Sequence, residues 1–499
     1  MGKFNFESLP QLRILSNSEV ELMHENAVRI LENAGVAFAC EEALDILETA
    51  GCIVNRETQI VRFPRNLIES CIETAPGSFD LYDRDGNHYC KFGDSLSRFN
   101  PGSSAGFMLT DDGITVRPST VADLKLISKV AQHLPQIDFV SSSVVCEEAP
   151  GDLGSQYLYY TEMKYSKKPI IGGSTDVFGV PRTFKLLEAV LGNEKNVMEK
   201  PYTVFDICVT SPMTWSHIGA QNIIDCAKRN IPIELISAQI AGASGPVTIA
   251  ACILQHTVEN LSGLILAQLV RPGVAVVYGG APCIFNMRTM YTPMAAMESN
   301  MITAGYALMG KYYGLPTHTY AALSDSKAID YQAGSETARS GFIALQLGID
   351  NISGAGGLNV IAEMSVEKLV MDAEYIGTLK HFAKGINFSD ETLAGDVISK
   401  VGPAGNYMKE KHTLKLYRKE HNYDNLVMNY QDRAAWRKEG SKSIFEKAKG
   451  EVDKIKALPG AILPEEQTKR LDKAFIEVCA EAGLTKETAE DLIVRCNEA

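Results

Sequence analysis

Apolar positions recur with a regular rhythm between residues 95 and 387. A short β-branched or aromatic run ends in Gly, Ser, Pro or Thr, and a helix with one apolar face follows it. The strand runs are almost continuously apolar, as expected for parallel strands that are buried on both faces. Eight strands are predicted in this way: Leu96–Asn100, Phe139–Val145, Pro169–Gly173, Thr203–Thr210, Ile233–Ser237, Val274–Tyr278, Thr317–Ala321 and Asn351–Ser353.

Eight strands that alternate with helices predict an α/β protein with a (β/α)8 TIM barrel over residues 91–387. The main alternative is an open, doubly wound sheet. Such a sheet usually carries a glycine-rich phosphate loop after its first strand. The loop at residues 100–104, with the sequence NPGSS, does not match that fingerprint, so the barrel is favoured.

Two flanking regions differ from the barrel in pattern. Residues 1–90 predict an N-terminal α+β cap with helices at Ser18–Ala34 and Glu41–Ala50, a small hairpin, and a second strand pair around the turn at 85–87. Residues 388–499 predict a C-terminal helical extension, because charged helices continue to the end of the chain. We expect this extension to pack outside the barrel or in an oligomer interface.

Composition limits the classes of partner. The 499 residues are 45% hydrophobic, so the chain can bury a core without metals or disulfides. A net charge of −13 without a dense basic run argues against a nucleic-acid partner. The 11 scattered cysteines are typical of reduced thiols in a cytoplasmic protein, and no signal peptide is visible. The uncharged window Leu235–Val258 is interrupted by polar and turn residues, so we interpret it as strand, loop and buried helix.

In a barrel of this kind the active site lies at the carboxyl-terminal ends of the strands. Those ends are rich in aromatic residues and carboxylates, and an aromatic face attracts a quaternary ammonium. Arg288 or Arg98 could hold a carboxylate elsewhere on the same ligand. For each aromatic residue, packing in the barrel rim is the alternative. The candidate substrate-binding residues are Phe99, Asp176, Phe178, Trp215, Gln239, Tyr278, Arg288, Tyr320, Asp325 and Gln332.

Other kinds of catalysis have less support in the sequence. The nine histidines form no spaced pair typical of a metal site, so no metal is predicted, and His318 is interpreted as structural. No Gly-x-Ser-x-Gly elbow is present, and the cysteines at strand ends, Cys146, Cys208 and Cys283, are interpreted as small buried hydrophobes. Lys327 could form a Schiff base, although an ion pair is the more ordinary role. No catalytic residue is assigned.

Several motifs resemble the trimethylamine-methyltransferase-like (MttB) family. Together they span about residues 90–450, and their order and spacing make the match specific. These motifs are GGSTD at Gly172–Asp176, GASGPVT at Gly242–Thr248, YGLPT at Tyr313–Thr317, DSKAIDYQAGSE at Asp325–Glu336, HTLKLYRKE at His412–Glu420 and DRAAWRKEG at Asp432–Gly440.

The resemblance implies transfer of a methyl group from a methylated amine to the Co(I) corrinoid (cobalamin) of a small partner protein. Archaeal trimethylamine enzymes of the family use pyrrolysine in the barrel, whereas the strand-seven region here has only standard residues. The chain therefore resembles the non-pyrrolysine branch, whose members demethylate quaternary amines such as glycine betaine, proline betaine, carnitine or γ-butyrobetaine. The resemblance implies that this chain binds no cofactor itself and that the partner protein supplies the corrinoid. From composition and pattern we expect contact with neither nucleic acid nor membrane, and the sequence leaves open whether the chain forms a homo-oligomer.

A quaternary ammonium already bears the charge that makes its amine a leaving group. The protein then mainly binds the cation, orients one methyl group and excludes water, which agrees with the lack of an obvious acid, base or nucleophile. Two other functions stay open from the sequence: a barrel lyase or aldolase that works through Lys327, and a non-catalytic sensor that binds a betaine. The sequence also leaves open which amine is used and which position replaces pyrrolysine.

Overall fold

Eight parallel strands form the centre of the computed structural model, which describes residues 12, 14–421, 425–459 and 463–498. All eight strands expected from the sequence are present, and two of them have the expected bounds. The others are shorter or are shifted by about two residues. We label them β1 to β8: Arg98–Asn100, Val140–Ser141, Ile170–Gly173, Thr203–Cys208, Ile233–Ser237, Val276–Gly280, His318–Tyr320 and Asn351–Ser353.

The strands pair in parallel in two sheets. One sheet has the order β6-β5-β4-β3-β2, and the other has the order β7-β8-β1. Backbone contacts join the two sheets at both edges. Tyr278 of β6 forms a parallel bridge with Thr317, next to β7. Asp138, which precedes β2, donates its N–H to the Phe99 carbonyl of β1 at 2.8 Å.

Helices connect successive strands and cover their outer side, which confirms the α/β class. The longest, Ile249–Val270, is long and apolar enough to cross a membrane, but it is mostly buried inside the protein, as the sequence predicted for a core helix. The connecting helices are Val121–His133, Gly154–Tyr165, Gly179–Leu191, Glu194–Glu199, His217–Lys228, Ile249–Val270, Met297–Tyr312, Tyr331–Gln346 and Val366–Ala383.

The N-terminal region contains both predicted strand pairs and one strand that the sequence analysis missed. That strand, Val36–Phe38, pairs in parallel with Thr214–Trp215, a short strand that follows β4. The N-terminal region therefore shares a small separate sheet with the central region of the chain. A strand of three residues is too short to show the alternation of apolar and polar positions by which a strand is recognised in a sequence. The other elements here are Asn17–Asn33, Glu41–Thr49, Ile53–Asn55, Ile60–Arg62, Arg65–Thr74, Phe79–Tyr82 and His88–Phe92.

The hairpin formed by Phe79–Tyr82 and His88–Phe92 closes the amino-terminal end of the strands. Its apolar side chains pack against the inward-pointing side chains of β3, β4 and β6 and the residue before β2. The Phe92 ring stacks on Phe139, with 5.7 Å between the centroids. This buried cluster consists of Leu81, Cys90, Phe92, Phe139, Ile171, Val204 and Val277.

The C-terminal region divides into two parts. Its last helices, Ile444–Ala457, Glu465–Glu481 and Lys486–Glu498, pack on helices of the central region, as the stacking of Phe475 on Tyr160 at 4.4 Å illustrates. Part of the predicted linker before Glu465 lies outside the described residues. The preceding helices are short and largely exposed: Asp390–Leu393, Gly395–Val401, Lys411–Glu420 and Arg433–Lys438.

Candidate active site

Strand alternation directs a layer of polar side chains to the side opposite the helices. In β4, Val204 belongs to the cluster over the hairpin, whereas Phe205 stacks on Tyr159 of a connecting helix. Asp206 and Cys208 share the side of Val204, because successive strand residues point to opposite faces. We call this side the interior.

Two carboxyl groups lie side by side in the interior. Asp206 and Glu234 are register partners on the neighbouring strands β4 and β5, and their side chains hydrogen-bond to each other. Burial raises the pKa of Asp206 to about 7. Burial, reinforced by the Asp206 carboxylate, raises the pKa of Glu234 well above its ordinary value. The pair therefore holds at least one proton at neutral pH, and its net charge changes from −1 to zero as the pH falls through about 7.

Amide and hydroxyl groups of β1 and β8 hold this pair in place. Asn351 Nδ2 donates to Glu234 Oε2 at 2.9 Å. Asn100 Nδ2 in turn donates to Asn351 Oδ1 and to Ser353 Oγ, each at 2.8 Å. All four of these side chains are buried. Such a connected network fixes the orientation of its members in a low-dielectric interior.

His318 of β7 completes the layer. Its Nε2 lies 3.0 Å from Ser353 Oγ and 3.4 Å from Glu234 Oε1. Burial lowers the pKa of His318 to about 3, so its ring is neutral at physiological pH. The ring fits because Gly279 of β6 has no side chain: a Cβ there would lie 3.0 Å from His318 Nδ1.

Three polar atoms of this layer are buried without a hydrogen-bond partner among the described residues. They are Asp206 Oδ1, Glu234 Oε1 and His318 Nδ1. Buried polar atoms in native proteins nearly always have a partner, supplied by protein, ordered water or a ligand. Their occurrence together in one layer indicates a place where small polar or charged molecules bind.

The interior is open at the carboxyl-terminal ends of the strands. Cys208 is exposed, and Asp206 and Tyr320 are half-buried. The Tyr320 hydroxyl lies 2.6 Å from Ser103 Oγ above the polar layer. Large apolar side chains in the loops that follow the strands are also exposed: Phe107, Val145, Phe178, Val247, Met287 and Met290. We call these residues the rim.

This arrangement suits a cation better than an anion. The polar layer carries the carboxyl pair, neutral amides and hydroxyls, and a neutral imidazole, together with the ring of Tyr320. A cation gains from the pair by charge and from an aromatic face by its quadrupole. In the described ranges no group of three His, Cys, Asp or Glu side chains is arranged to hold a metal ion.

A family model for trimethylamine methyltransferase (MTTB) matches residues 3–482. The chain belongs to the trimethylamine methyltransferase family. This match confirms the resemblance drawn from the motifs, and the protein is a methyltransferase.

Relatives in this family cover most of the chain. The trimethylamine methyltransferase MttB of Methanosarcina thermophila is 28% identical over 452 residues, covering 88% of this chain and 92% of the relative. The enzyme of the same name from Methanosarcina barkeri is 30% identical over 410 residues, covering 81% and 82%. A glycine betaine methyltransferase of Desulfitobacterium hafniense (strain Y51) is 29% identical over 419 residues, covering 83% and 86%.

A solved structure shares the fold. The monomethylamine methyltransferase (MtmB) of Methanosarcina barkeri superimposes with a TM-score of 0.50 and 10% sequence identity, covering 96% of this chain and 90% of that chain. The hydroxylamine complex of MtmB gives a TM-score of 0.51 at 10% identity, covering 95% and 89%. At this identity the likeness concerns the fold alone.

Five of the residues expected at the site lie near the opening. Tyr320 reaches the interior through its hydroxyl. The exposed ring of Phe178 lies 5.3 Å from the guanidinium carbon of Arg182, which pairs with Asp176 at 2.6 Å. Arg288 is exposed in the loop after β6, and Gln332 is exposed in the first turn of the helix Tyr331–Gln346.

The other five expected residues are buried, and their side chains contact other parts of the protein instead of facing the opening. Alternation turns Phe99 and Tyr278 outward: Phe99 lies 5.9 Å from Lys380 Nζ, and Tyr278 donates to Thr257 Oγ1. Trp215, in the short strand that pairs with Val36–Phe38, donates its indole N–H to Ser262 Oγ.

Gln239 and Asp325 have structural roles beside the opening. Gln239 donates to the Cys252 carbonyl at 2.9 Å. Asp325 accepts from the backbone N–H groups of Met294 and Ala295, so it ties the loop after β7 to the start of the helix Met297–Tyr312. Because their polar atoms bind the protein itself, they hold loops in place.

Sequence reasoning missed the carboxyl pair and misjudged two neighbours. Asp206 and Glu234 are single charged residues within the apolar runs VFDIC and IELIS, and that interruption was the available signal. Cys208 is exposed in the opening instead of being a buried hydrophobe, because β4 continues past the polar layer. His318 belongs to the site layer, while Cys146 and Cys283 are buried as expected.

Proposed function

We propose that this chain transfers a methyl group from a quaternary amine of the betaine or carnitine type to the Co(I) corrinoid of a partner protein. The observation that carries the proposal is the Asp206–Glu234 pair at the floor of an open interior. Relatives named for trimethylamine and for glycine betaine support an amine as methyl donor.

The proposal includes the architecture expected from the sequence. The eight strands then form one closed (β/α)8 barrel over residues 91–387, with residues 1–90 as a cap and 388–499 as a helical extension. The backbone contacts at both sheet edges support closure. The enzyme acts in the cytoplasm, where its thiols stay reduced.

The shared proton gives the site a suitable charge. Two ionised carboxylates would hold a cation strongly, but they would also oppose the reaction, because the positive charge on nitrogen disappears as the methyl group leaves. Binding that is stronger in the ground state than in the transition state slows the chemical step. A pair with one net charge attracts the ammonium while reducing this penalty.

In this mechanism the chain binds and orients the substrate. The ammonium lies over Asp206 and Glu234, and the ring of Tyr320 offers it an aromatic face. One methyl group then points toward the opening, where the Co(I) corrinoid supplies the nucleophile. The carbon–nitrogen bond breaks with its electron pair left on nitrogen, so a neutral tertiary amine forms and no proton moves. Positioning and water exclusion are the main contributions of the protein.

The substrate carboxylate points to the rim in this proposal. The polar layer contains no cationic side chain among the described residues, whereas Arg288 is exposed in the loop after β6. We therefore expect amines with a distant carboxylate, such as carnitine or γ-butyrobetaine, to react faster than glycine betaine. The apolar rim suits a corrinoid protein that covers the opening during transfer.

The aldolase alternative has less support from the structure. Lys327 is exposed, donates to the Asp325 carbonyl at 2.7 Å, and lies 4.6 Å from the centroid of the Tyr291 ring. A carbonyl acceptor and an aromatic face both favour the charged ammonium, whereas Schiff-base formation needs a neutral amine. Borohydride trapping of a substrate Schiff base on Lys327 would support the aldolase alternative. Tight betaine binding without methyl transfer would favour the sensor.

The test is methylation of Co(I) cobalamin, followed by absorbance, with five amines supplied in turn. They are glycine betaine, proline betaine, carnitine, γ-butyrobetaine and trimethylamine. We expect methylation with at least one quaternary amine and none with trimethylamine. If no amine reacts with folded protein, even after addition of a corrinoid protein, the proposed function is wrong.

A further inference from the structure

A short hairpin follows β8 at the open end of the strands. Gly357–Leu358 pairs antiparallel with Glu363–Met364, which in turn pairs in parallel with Phe107–Leu109 of the loop after β1. Residues 359–362 form the turn of this hairpin, and we call residues 359–361 the tip. Because the hairpin lies at the carboxyl-terminal ends of the strands, its tip can shape what enters the interior.

The tip has an unusual backbone. Asn359, Val360 and Ile361 all lie in the left-handed region, with φ values of 48°, 59° and 57°. In this region the Cβ atom crowds the backbone, and a β-branched residue such as Val or Ile is a genuine outlier. Such conformations persist only where the surrounding structure enforces them, and they cluster at active sites and ligand clamps. The strain of the tip therefore indicates that it has a role in function.

Hydrogen bonds from two neighbouring loops hold the tip in this conformation. The Asn359 N–H donates to the Ser326 carbonyl, in the loop after β7, at 3.1 Å. The Tyr291 hydroxyl, in the loop after β6, donates to Asn359 Oδ1. Across the turn, Asn359 Nδ2 donates to Glu363 Oε1 at 2.6 Å. The loops after β6, β7 and β8 are therefore joined at Asn359, which fixes the position of the tip.

The two apolar side chains of the tip lie next to the candidate site. Val360 and Ile361 are half-buried and pack on a small buried cluster in the loops after β6 and β7. Tyr320, whose ring faces the ammonium in the proposed function, packs on the same cluster. The tip and the Tyr320 ring therefore belong to one wall of the opening. The shared cluster consists of Cys283, Met294, Ala295 and Leu323.

A fixed apolar wall is suited to recognising a quaternary ammonium. The outer surface of this ion is made of alkyl groups, which gain from contact with apolar side chains while the carboxyl pair holds the charge. The ion donates no hydrogen bond, so only shape can distinguish a methyl group from a larger alkyl group. One methylene more or fewer in an apolar pocket changes recognition by about 10- to 200-fold.

We propose that Val360 and Ile361 select the amine by the size of its alkyl groups, admitting a trimethylammonium head and excluding larger ones. This inference rests on the proposed function, because it assigns the residues that determine substrate choice at the same site. The left-handed backbone presents both branched side chains to the cluster beside Tyr320, and the hydrogen bonds of Asn359 keep them there.

Binding of two simple ions tests this selection without methyl transfer. Calorimetry of the full-length protein measures the Kd of tetramethylammonium and the Kd of tetraethylammonium. We expect wild type to bind the smaller ion at least about tenfold more tightly, and Ile361→Ala to reduce this preference to below about threefold. Ile361→Val, which keeps a branched side chain, should retain most of the preference. Ile53→Ala, at an exposed site in the N-terminal region, is the matched control and should retain all of it.

Two substitutions at Val360 distinguish a strained functional wall from an ordinary packing contact. Val360→Ala and Val360→Gly both remove the branched side chain, but only glycine relieves the left-handed conformation. Glycine is usually the less stable choice of the two, because it leaves the unfolded chain more freedom. Here Val360→Gly should have a Tm about 2 °C higher than Val360→Ala by differential scanning calorimetry. It should nevertheless discriminate less between the two ions, because its tip can move.

The outcomes separate this inference from the proposed function. Equal affinity of wild type for the two ions, or an unchanged preference in Ile361→Ala, would overturn selection by the tip while amine binding stands. A Tm of Val360→Gly equal to or below that of Val360→Ala would overturn it as well. If wild type binds neither ion, the proposed function fails and the inference fails with it.

Discussion

Asp206 and Glu234 illustrate how single residues can serve function at the expense of stability. A buried carboxylate is destabilising unless it is paired and hydrogen-bonded, and here only part of the pair is satisfied within the protein. Groups with strongly raised pKa values and open hydrogen-bond capacity are typical of functional sites. The energetic cost of these two side chains is therefore itself an argument for their role.

The pKa of Asp206 predicts how amine binding depends on pH. Below about pH 7 Asp206 takes up a proton, and the pair passes from one negative charge to none. We expect the Kd for a quaternary amine to rise as pH falls, by about tenfold per unit below the midpoint. Calorimetry between pH 5.5 and 8.5 measures this. A wild-type Kd that does not vary with pH would contradict the role of the pair.

The raised pKa of Asp206 also predicts that the folded protein becomes less stable as the pH rises, whereas amine binding becomes tighter. The pKa is raised from its ordinary 3.8 to about 7 in the folded state, so the stabilising contribution of the protonated form is present at low pH and is lost as pH rises through 7. Asp206→Asn should therefore raise Tm relative to wild type above pH 7, on the order of 2 °C. At pH 5 the difference should shrink. Differential scanning calorimetry at both pH values measures the effect, and a lower Tm for the variant at pH 8 would argue against a buried carboxylate.

Gly279 gives a third prediction at this scale. A Cβ would lie 3.0 Å from His318 Nδ1 and 2.8 Å from the Leu235 carbonyl, so Gly279→Ala must displace His318 or the strand. We expect a loss of about 1–3 kcal/mol in unfolding free energy and reduced methyl transfer. The control is Gly334→Ala, an exposed helical site with open space, which should stabilise by about 0.5–1 kcal/mol. Urea unfolding measures both.

Residue-scale prediction from sequence succeeded only where local chemistry was visible. The strand-end rule placed Tyr320, Asp176 and Phe178 near the opening, because chain direction alone decides which end a residue occupies. It failed for Phe99 and Tyr278, since the side to which a strand residue points depends on the register of a whole strand. The carboxyl pair was not predicted, because Asp206 and Glu234 are single charged residues within runs that were interpreted as continuously apolar strands.

At the level of elements, the hairpin of Phe79–Tyr82 and His88–Phe92 is part of the central core. Its side chains fill the amino-terminal end of the interior beneath the polar layer. The sequence predicted this strand pair from its turn and placed it in the N-terminal cap, but it did not predict which part of the protein the pair contacts. Only the three-dimensional packing shows where the hairpin lies, because no local pattern encodes contacts over such separations.

Phe92→Ala should therefore lower the free energy of unfolding of the whole protein. The ring is fully buried between Phe79 and Phe139, and its removal leaves a cavity that should lower the free energy of unfolding by about 3–5 kcal/mol. Chemical denaturation followed by both circular dichroism and tryptophan fluorescence measures it. Leu96→Ala, at an exposed position before β1, is the control. If only the N-terminal region loses stability, the hairpin is not integral to the core.

For the whole molecule, the two ends of the strands have different tasks. One end is filled by the hairpin, which supports the floor, and the other end opens above Asp206 and Glu234 to a rim with exposed apolar side chains. The eight-fold rhythm predicted the eight parallel strands, because buried parallel strands have a strong apolar signature, but it did not predict the hairpin at one of their ends. The short helices between Asp390 and Lys438 were recognised only as part of a charged helical extension, since the exposure of their apolar residues is a property of the folded chain.

The most direct test of the account is a single-turnover measurement of methyl transfer to Co(I) cobalamin, using the best amine from the panel with a deuterated methyl group. Asp206→Asn, which removes the negative charge of the pair, should slow transfer about 100-fold or more while the fold is kept, whereas Glu234→Gln, which replaces the protonated partner, should slow it less. The matched control is Glu162→Gln, a buried carboxyl of raised pKa on the helix Gly154–Tyr165, which should transfer at the wild-type rate. If both pair variants transfer as fast as wild type, the carboxyl pair does not hold the substrate, and the account of this site is wrong.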